Sequence, residues 1–273
     1  MKSKIALFLS ILFTTSCATA QKTTEPLVKF ETSYGNFTVK LYAKTPAHRD
    51  NFMKLVDDGF YKDVLFHRVI ADFMVQAGDP KSKTADAQTA LGSGDVGYKV
   101  PAEIIYPTYY HKRGALSAAR QGDNVNPSKA SSGCQFYIVQ GRTYTDAELD
   151  NMEQSNKQKL LGKHFQEIVA SKQEAVKQYQ QQGNQLKLNQ LRDSILAEAN
   201  KVIESKTNYK YTPQQRIDYR TVGGTPHLDM DYTVFGEITQ GLEVIDKISK
   251  TKTGANDRPL EDIRIISAVR INL

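Results

Sequence analysis

The 273-residue chain has no tryptophan and only two cysteines. These are Cys17 and Cys134, and Cys17 lies in an N-terminal segment read below as processed. No internal disulfide framework can therefore hold the mature protein. Stability must come from a buried apolar core, which a chain of this length can supply. The five histidines (48, 67, 111, 164 and 227) show no metal-ligand spacing, so no metal site is expected. Charge of one sign is also scarce: 36 basic residues face 30 acidic ones, a net of +6 with both signs mixed throughout. That balance argues against a nucleic-acid partner. The apolar run Ile5 to Phe13 is shorter than the roughly 20 residues of a mature membrane span.

That run has another use. Lys2 and Lys4 precede it, the layout of a secretory signal peptide over residues 1–20. Removing 1–20 takes away two lysines and no acid, which leaves +4. Two processing readings stand side by side. Ala18-Thr19-Ala20 before Gln21 suits ordinary signal peptidase. Thr14-Thr15-Ser16-Cys17 is similar to a lipobox, with Cys17 as the acylated residue, although Thr14 stands where an aliphatic residue is usual. Either reading implies export, to the periplasm or to a lipid-anchored place in a Gram-negative cell envelope. Residues 21–26 read as a tether.

Beyond the tether, Val28 to Thr32 and Asn36 to Tyr42 alternate as half-buried strands do. Thr45-Pro46 opens a helix, with Thr45 as N-cap and Pro46 in the first turn. Short apolar strands follow at Leu65–Ile70, Met74–Ala77, Ala115–Ala118, Phe136–Val139, Thr233–Phe235 and Ile263–Ile271, with a helix near Leu242–Ile248. Many short strands and few helices point to a closed antiparallel barrel. The character changes over 143–220. Thr145 and Glu148 form a capping box. Leu149, Met152, Leu161, Phe165, Ile168, Val176 and Tyr179 then recur at helical spacing up to Gly183. A second stripe runs through Leu188, Leu191, Ile195, Val202 and Ile203. One unbroken first helix would be roughly 55 Å long, so a projecting antiparallel hairpin is expected. A short helix from Thr212-Pro213 closes the segment.

The strongest chemical signal is Phe66-His67-Arg68-Val69-Ile70-Ala71-Asp72-Phe73-Met74-Val75-Gln76-Ala77-Gly78-Asp79. It resembles the cyclophilin signature F-H-R-x-I-x-x-F-M-x-Q-x-G-D. Four further blocks keep the family order: Gly92-Ser93-Gly94 leading to Pro101-Ala102-Glu103, Gly114 to Arg120, Ser132 to Ile138, and His227-Leu228-Asp229 leading to Phe235-Gly236. The resemblance implies a mainly β fold with α, an eight-stranded antiparallel cyclophilin-like barrel capped by two helices, over 27–142 and 221–273. The inserted helical hairpin lies outside it. It also implies peptidyl-prolyl cis-trans isomerase activity without a cofactor, on proline-containing polypeptide clients.

The chemistry is consistent with those residues. An X–Pro bond turns slowly because amide resonance must be broken. A fixed cation beside the pyramidal proline nitrogen of the twisted state stabilises that state selectively. Arg68, permanently charged and planar, suits the task. By resemblance, Phe73, Met74, Tyr137 and Leu228 line the proline pocket, while Gln76 and Gln135 hold substrate and orient Arg68. Ala119 and the backbone of Arg120 pair with the extended peptide, and Gly92 permits close approach. Three positions depart from the common pattern: His227 replaces a tryptophan, Arg120 an asparagine and Tyr232 a histidine, all at the rim. His67 is expected to make a structural hydrogen bond, and Cys134 to be a small buried residue within a strand.

Two decoys carry less. Gly92-Ser93-Gly94-Asp95-Val96-Gly97 matches G-x-G-x-x-G, but no strand precedes it and no helix follows. Tyr106 to Arg113 mixes aromatics and bases in a single loop, too little for a nucleic-acid surface. A rival reading from another class is a binding module, in which the helical hairpin docks a protein partner and the pocket captures proline without turnover.

Overall fold

A computed structural model describes residues 25–206 and 209–271. The leader over 1–20, the candidate lipidation site Cys17 and most of the tether lie outside the described residues. The first alternating segments pair as a hairpin of β1 (Leu27–Thr32) and β2 (Gly35–Leu41), with Phe30 opposite Phe37. Val28 and Phe30 point inward, and the intervening Lys29 and Glu31 do not. The other strands are β3 (Phe66–Ile70), β4 (Met74–Ala77), β5 (Lys99–Val100), β6 (Ala115–Ala118), β7 (Ser131–Ser132), β8 (Phe136–Val139), β9 (Val234–Gln240) and β10 (Ile265–Ile271).

Eight of them form one antiparallel sheet in the order β10-β1-β2-β9-β6-β8-β4-β3, while β5 and β7 pair separately. The sheet curls until its two ends meet. Leu65 bridges Arg264, the Phe66 N–H donates to the Ile263 carbonyl at 2.9 Å, and the Ile265 N–H donates to the Val64 carbonyl at 2.8 Å. Inside the curl Phe30 stacks on Phe37 at 4.8 Å, and Phe52 meets Phe136 edge-on at 5.5 Å. Full burial of each such ring contributes roughly 1.5–3 kcal/mol, which is how the fold manages without a disulfide.

Two helices close this core: α1 (Pro46–Asp57) supplies Phe52, Leu55 and Val56. Between β8 and β9 come α2 (Asp146–Ser171), α3 (Gln173–Gln181), α4 (Gln185–Glu204) and α5 (Pro213–Thr221). The second capping helix, α6 (Leu242–Ser249), adds Val244, Ile245 and Ile248 to the same core. The α2 helix starts on the expected capping box of Thr145 and Glu148. It lies against α4, whose Ile195, Ala199 and Ile203 are buried. A cluster of Tyr144, Leu149, Tyr211 and Tyr219 seats the base of the pair. Arg216 of α5 reaches Asp146, Asp150 and Glu153 of α2 at 3.0, 2.9 and 3.0 Å, fastening the two helices together.

Three local expectations change. Thr45 makes no capping bond; its hydroxyl turns back to the Tyr42 carbonyl at 3.3 Å. Glu103 caps α1 from a distant loop instead, accepting from the Ala47 and His48 N–H groups at 3.0 and 2.9 Å. A carboxylate at a helix N-terminus satisfies two free donors and also favours the helix dipole. The long first helix of the hairpin breaks at Lys172, with φ −106° and ψ 16°, although no glycine or proline stands there. Lys172 pairs with Glu198 of α4 at 2.7 Å, and α3 keeps its contact with α4 beyond the break. Cys134 is buried as expected, but it sits in the bend ahead of β8, and burial pushes its thiol up to about 11.

Candidate active site

The site is built on one irregularity in strand pairing. In β3 and β4, Phe66 faces Ala77 and Arg68 faces Gln76, so His67 and Arg68 together oppose a single residue. Such a bulge turns two successive side chains away from the core side that strict alternation would give one of them. Phe66 and Val69 remain in the core, while His67 and Arg68 both face a cavity of about 670 Å³ on the other side. The register continues across the sheet: Gln76 faces Tyr137 of β8, and Tyr137 faces Ser117 of β6. Arg68, Gln76 and Tyr137 thus form one row of cross-strand neighbours. The turn between β3 and β4 adds Phe73, whose carbonyl accepts from the Gln140 and Gly141 N–H groups at 3.0 Å each.

Nine of the eleven expected binding and catalytic residues line this cavity: Arg68, Phe73, Met74, Gln76, Gly92, Ala119, Arg120, Tyr137 and Leu228. Met74, Tyr137, Phe73, Leu228 and Ala119 pack into one apolar cluster, which is the greasy wall. Gln135 and His227 stand outside. Gln135 lines a neighbouring cavity of about 190 Å³ that shares Gln76, Gly92, Ala119 and Arg120. The exposed His227 ring lies 5.4 Å from Phe73, centre to centre, and does not line the cavity.

The polar groups are arranged differently from the expectation. Gln76 does not orient Arg68; its amide donates to Gln135 at 2.9 Å. Gln135 in turn donates to the Gly92 and Gly94 carbonyls at 3.1 and 2.7 Å. Arg68 instead donates through Nε to Asp257 at 3.3 Å, which leaves its Nη edge without a hydrogen bond among the described residues. Ala119 has both backbone groups engaged, its N–H to the Gln135 carbonyl at 3.0 Å and its carbonyl from the Ser132 N–H at 2.8 Å. It therefore offers a methyl wall, not a strand edge. The Arg120 guanidinium is pinned by the Asp231 carbonyl at 2.7 Å, by Asp123 at 2.6 Å and by the Tyr232 ring at 4.4 Å, so it braces the rim.

The glycine-rich loop has a plain explanation. Asp79, fully buried, accepts from the N–H groups of Gly92 at 2.6 Å, Gly94 at 3.1 Å and Lys81 at 2.8 Å. The loop wraps a carboxylate of its own chain, and any Cβ at Gly94 would collide with that carboxylate. Gly92, at φ +97°, gives up its N–H and carbonyl to Asp79 and Gln135, so it contributes room rather than hydrogen bonds.

Sequence reasoning missed two segments of the wall, residues 87–91 and 255–258. Arg258 ties them together, donating to the Asp86 and Thr89 carbonyls at 2.7 and 2.9 Å. Neither segment has periodicity to betray it.

His67 is buried in the wall, and neither ring nitrogen finds a hydrogen bond among the described residues, so the expected structural bond is missing. Burial pushes its pKa down to about 4 against the pull of nearby Asp79, which keeps the ring neutral.

Comparison with known proteins follows the same outline. A family model for cyclophilin type peptidyl-prolyl cis-trans isomerase/CLD matches residues 27–191 and 162–270. A Staphylococcus epidermidis protein named as a peptidyl-prolyl cis-trans isomerase is 30% identical over 243 residues, covering 88% of this chain and 89% of that protein. A Streptococcus pyogenes protein named as a bifunctional phosphatase/peptidyl-prolyl cis-trans isomerase is 28% identical over 91% of this chain, which spans 39% of that protein's length. A cyclophilin type isomerase of Cryptosporidium parvum has the same fold, with a TM-score of 0.54 at 20% identity, covering 92% of this chain and 99% of that one. The same protein was also crystallised in the presence of the dipeptide Ala-Pro.

The neutral, unpartnered His67 links stability to pH. The unfolded ring takes a proton near 6.5 and the folded ring only near 4, so acid favours the unfolded chain. Its contribution is complete above pH 6.5 and is lost as pH falls toward 4. Urea unfolding of wild type and His67→Leu at pH 7 and pH 4.5 should show the wild type losing about 2 kcal/mol more than the variant on acidification. Equal losses would mean the ring is protonated in the fold.

Proposed function

The chain belongs to the cyclophilin-type peptidyl-prolyl cis-trans isomerase family, and from that premise we propose that Arg68 is its catalytic cation and that its clients are exported polypeptides. One observation carries the catalytic part: a guanidinium with an unbonded edge stands in the same strand row as the apolar wall of the cavity. Phe73, Met74, Tyr137 and Leu228 hold the ring by apolar contact, in both ground states alike. Rotation about the X–Pro bond pyramidalises the proline nitrogen and restores its lone pair. The Nη edge of Arg68 meets that lone pair and stabilises it, while Asp257 at Nε fixes the guanidinium plane. Stabilisation that exists only in the twisted state lowers the barrier without tightening ground-state binding. Rotation transfers no proton, so the neutral His67 acts as packing and not as an acid.

The rate on an Ala-Pro peptide should fall about 100-fold or more in Arg68→Ala, with peptide affinity nearly unchanged. Equal rates for both proteins would contradict the role of Arg68.

Export rests on the N-terminal sequence: Lys2, Lys4, the run Ile5 to Phe13, and the two processing sites ending at Ala20 and at Ser16. Isomerisation in the cell envelope would assist folding of chains that arrive there unfolded, where X–Pro bonds are slow steps. The intact mass of protein from a Gram-negative host separates the readings. A mature chain beginning at Gln21, or at a lipidated Cys17, supports export; an unprocessed Met1 chain in the cytoplasm contradicts it.

A further inference from the structure

Tyr137 has a hydroxyl to satisfy at the back of the apolar wall, and the structure satisfies it through a buried chain of side chains. The hydroxyl lies 2.9 Å from His111 Nε2, and His111 Nδ1 lies 2.9 Å from Asp229 Oδ1. Asp229 Oδ1 also accepts from the His111 backbone N–H at 2.9 Å, and its Oδ2 accepts from the Tyr219 hydroxyl at 2.6 Å. All four residues are buried, with exposures of 4%, 1%, 3% and 0% for Tyr137, His111, Asp229 and Tyr219. Tyr219 belongs to α5, outside the curled sheet, and its ring sits in the tyrosine cluster that seats α2.

The directions of these bonds follow from the donors and acceptors present. A carboxylate only accepts, so His111 carries its proton on Nδ1. With the ring neutral, Nε2 is then an acceptor, and Tyr137 donates to it. The imidazole plane lies within 8° of the Tyr137 ring, and Tyr232 meets both rings edge-on. Tyr137 is thereby fixed in position as well as in depth.

We propose that His111 is a positioning residue for the proline pocket, and that Asp229 and Tyr219 make the seating of the inserted helices part of the pocket's geometry. The proposal rests on the reading of Tyr137 as pocket wall. His111 does not touch the cavity; it acts through Tyr137, which does. Removing the far end of the chain should therefore loosen the wall and weaken the grip on the proline ring, while leaving Arg68 and the rotation step alone.

The test is a double-mutant cycle on the Ala-Pro peptide with Tyr219→Phe and Tyr137→Phe. Tyr219→Phe should raise KM about fivefold with kcat unchanged, the worth of one hydrogen bond. In the Tyr137→Phe background the same change should have no effect on KM, because the hydroxyl it positions is gone. A merely structural Tyr219 would lower the unfolding temperature with KM unmoved, or act equally in both backgrounds; either result overturns the proposal. Arg68→Ala run alongside keeps the two readings apart, since a failure there concerns the site itself. In the wild-type protein, independent of any variant, ¹⁵N spectra should show His111 protonated at Nδ1 with Nε2 accepting a hydrogen bond. An Nε2–H ring would overturn the assignment.

Discussion

One extra residue in the pairing of β3 with β4 decides where the chemistry can be. Regular alternation would send His67 and Arg68 to opposite faces of the sheet. Because both oppose Gln76, both reach the cavity side while Phe66 and Val69 stay in the core. The bulge is tolerated because the neighbouring rows are secured twice, by the aromatic core beneath and by the bridge from Leu65 to Arg264 at the closing edge. The cation consequently sits two residues beyond the point where its strand is held on both sides.

The remaining wall depends on buried polar groups that are fully used. Asp79 holds the glycine-rich loop, Gln135 holds the carbonyls of the same loop and the amide of Gln76, and Arg258 holds the loop beyond it. A buried carboxylate left without donors would cost several kcal/mol, so these contacts fix the loops as firmly as the apolar core fixes the strands. His67 is the exception, a buried ring with no side-chain hydrogen bond among the described residues, which ties the stability of this wall to pH.

The core strands were legible in the sequence from local pattern, and the apolar wall from the resemblance of Phe66 to Asp79 and the later blocks to the cyclophilin signature. Alternation in Lys29-Phe30-Glu31 carries its own register, whereas the bulge at His67 and Arg68 leaves no mark in the alternation of its strand. The partners of the polar residues were not legible. That Glu103 caps α1, that Asp257 rather than Gln76 takes Arg68, and that Arg258 pins residues 86–89 are contacts between positions 55 to 189 residues apart. Such contacts depend on closure of the sheet and leave no periodic trace. The break at Lys172 was hidden for a similar reason: no helix breaker marks it, and its ion pair lies on another helix.

In the proposed mechanism a fixed cation and an apolar wall suffice, with no proton transfer. This is tested most directly by kcat/KM on an Ala-Pro peptide between pH 7 and pH 9, in water and in deuterium oxide. That mechanism requires a flat profile and the same rate in both solvents, since the guanidinium stays charged and His67 stays neutral over that range. A limb in the profile accompanied by a slower rate in deuterium oxide would show a proton in flight and contradict it.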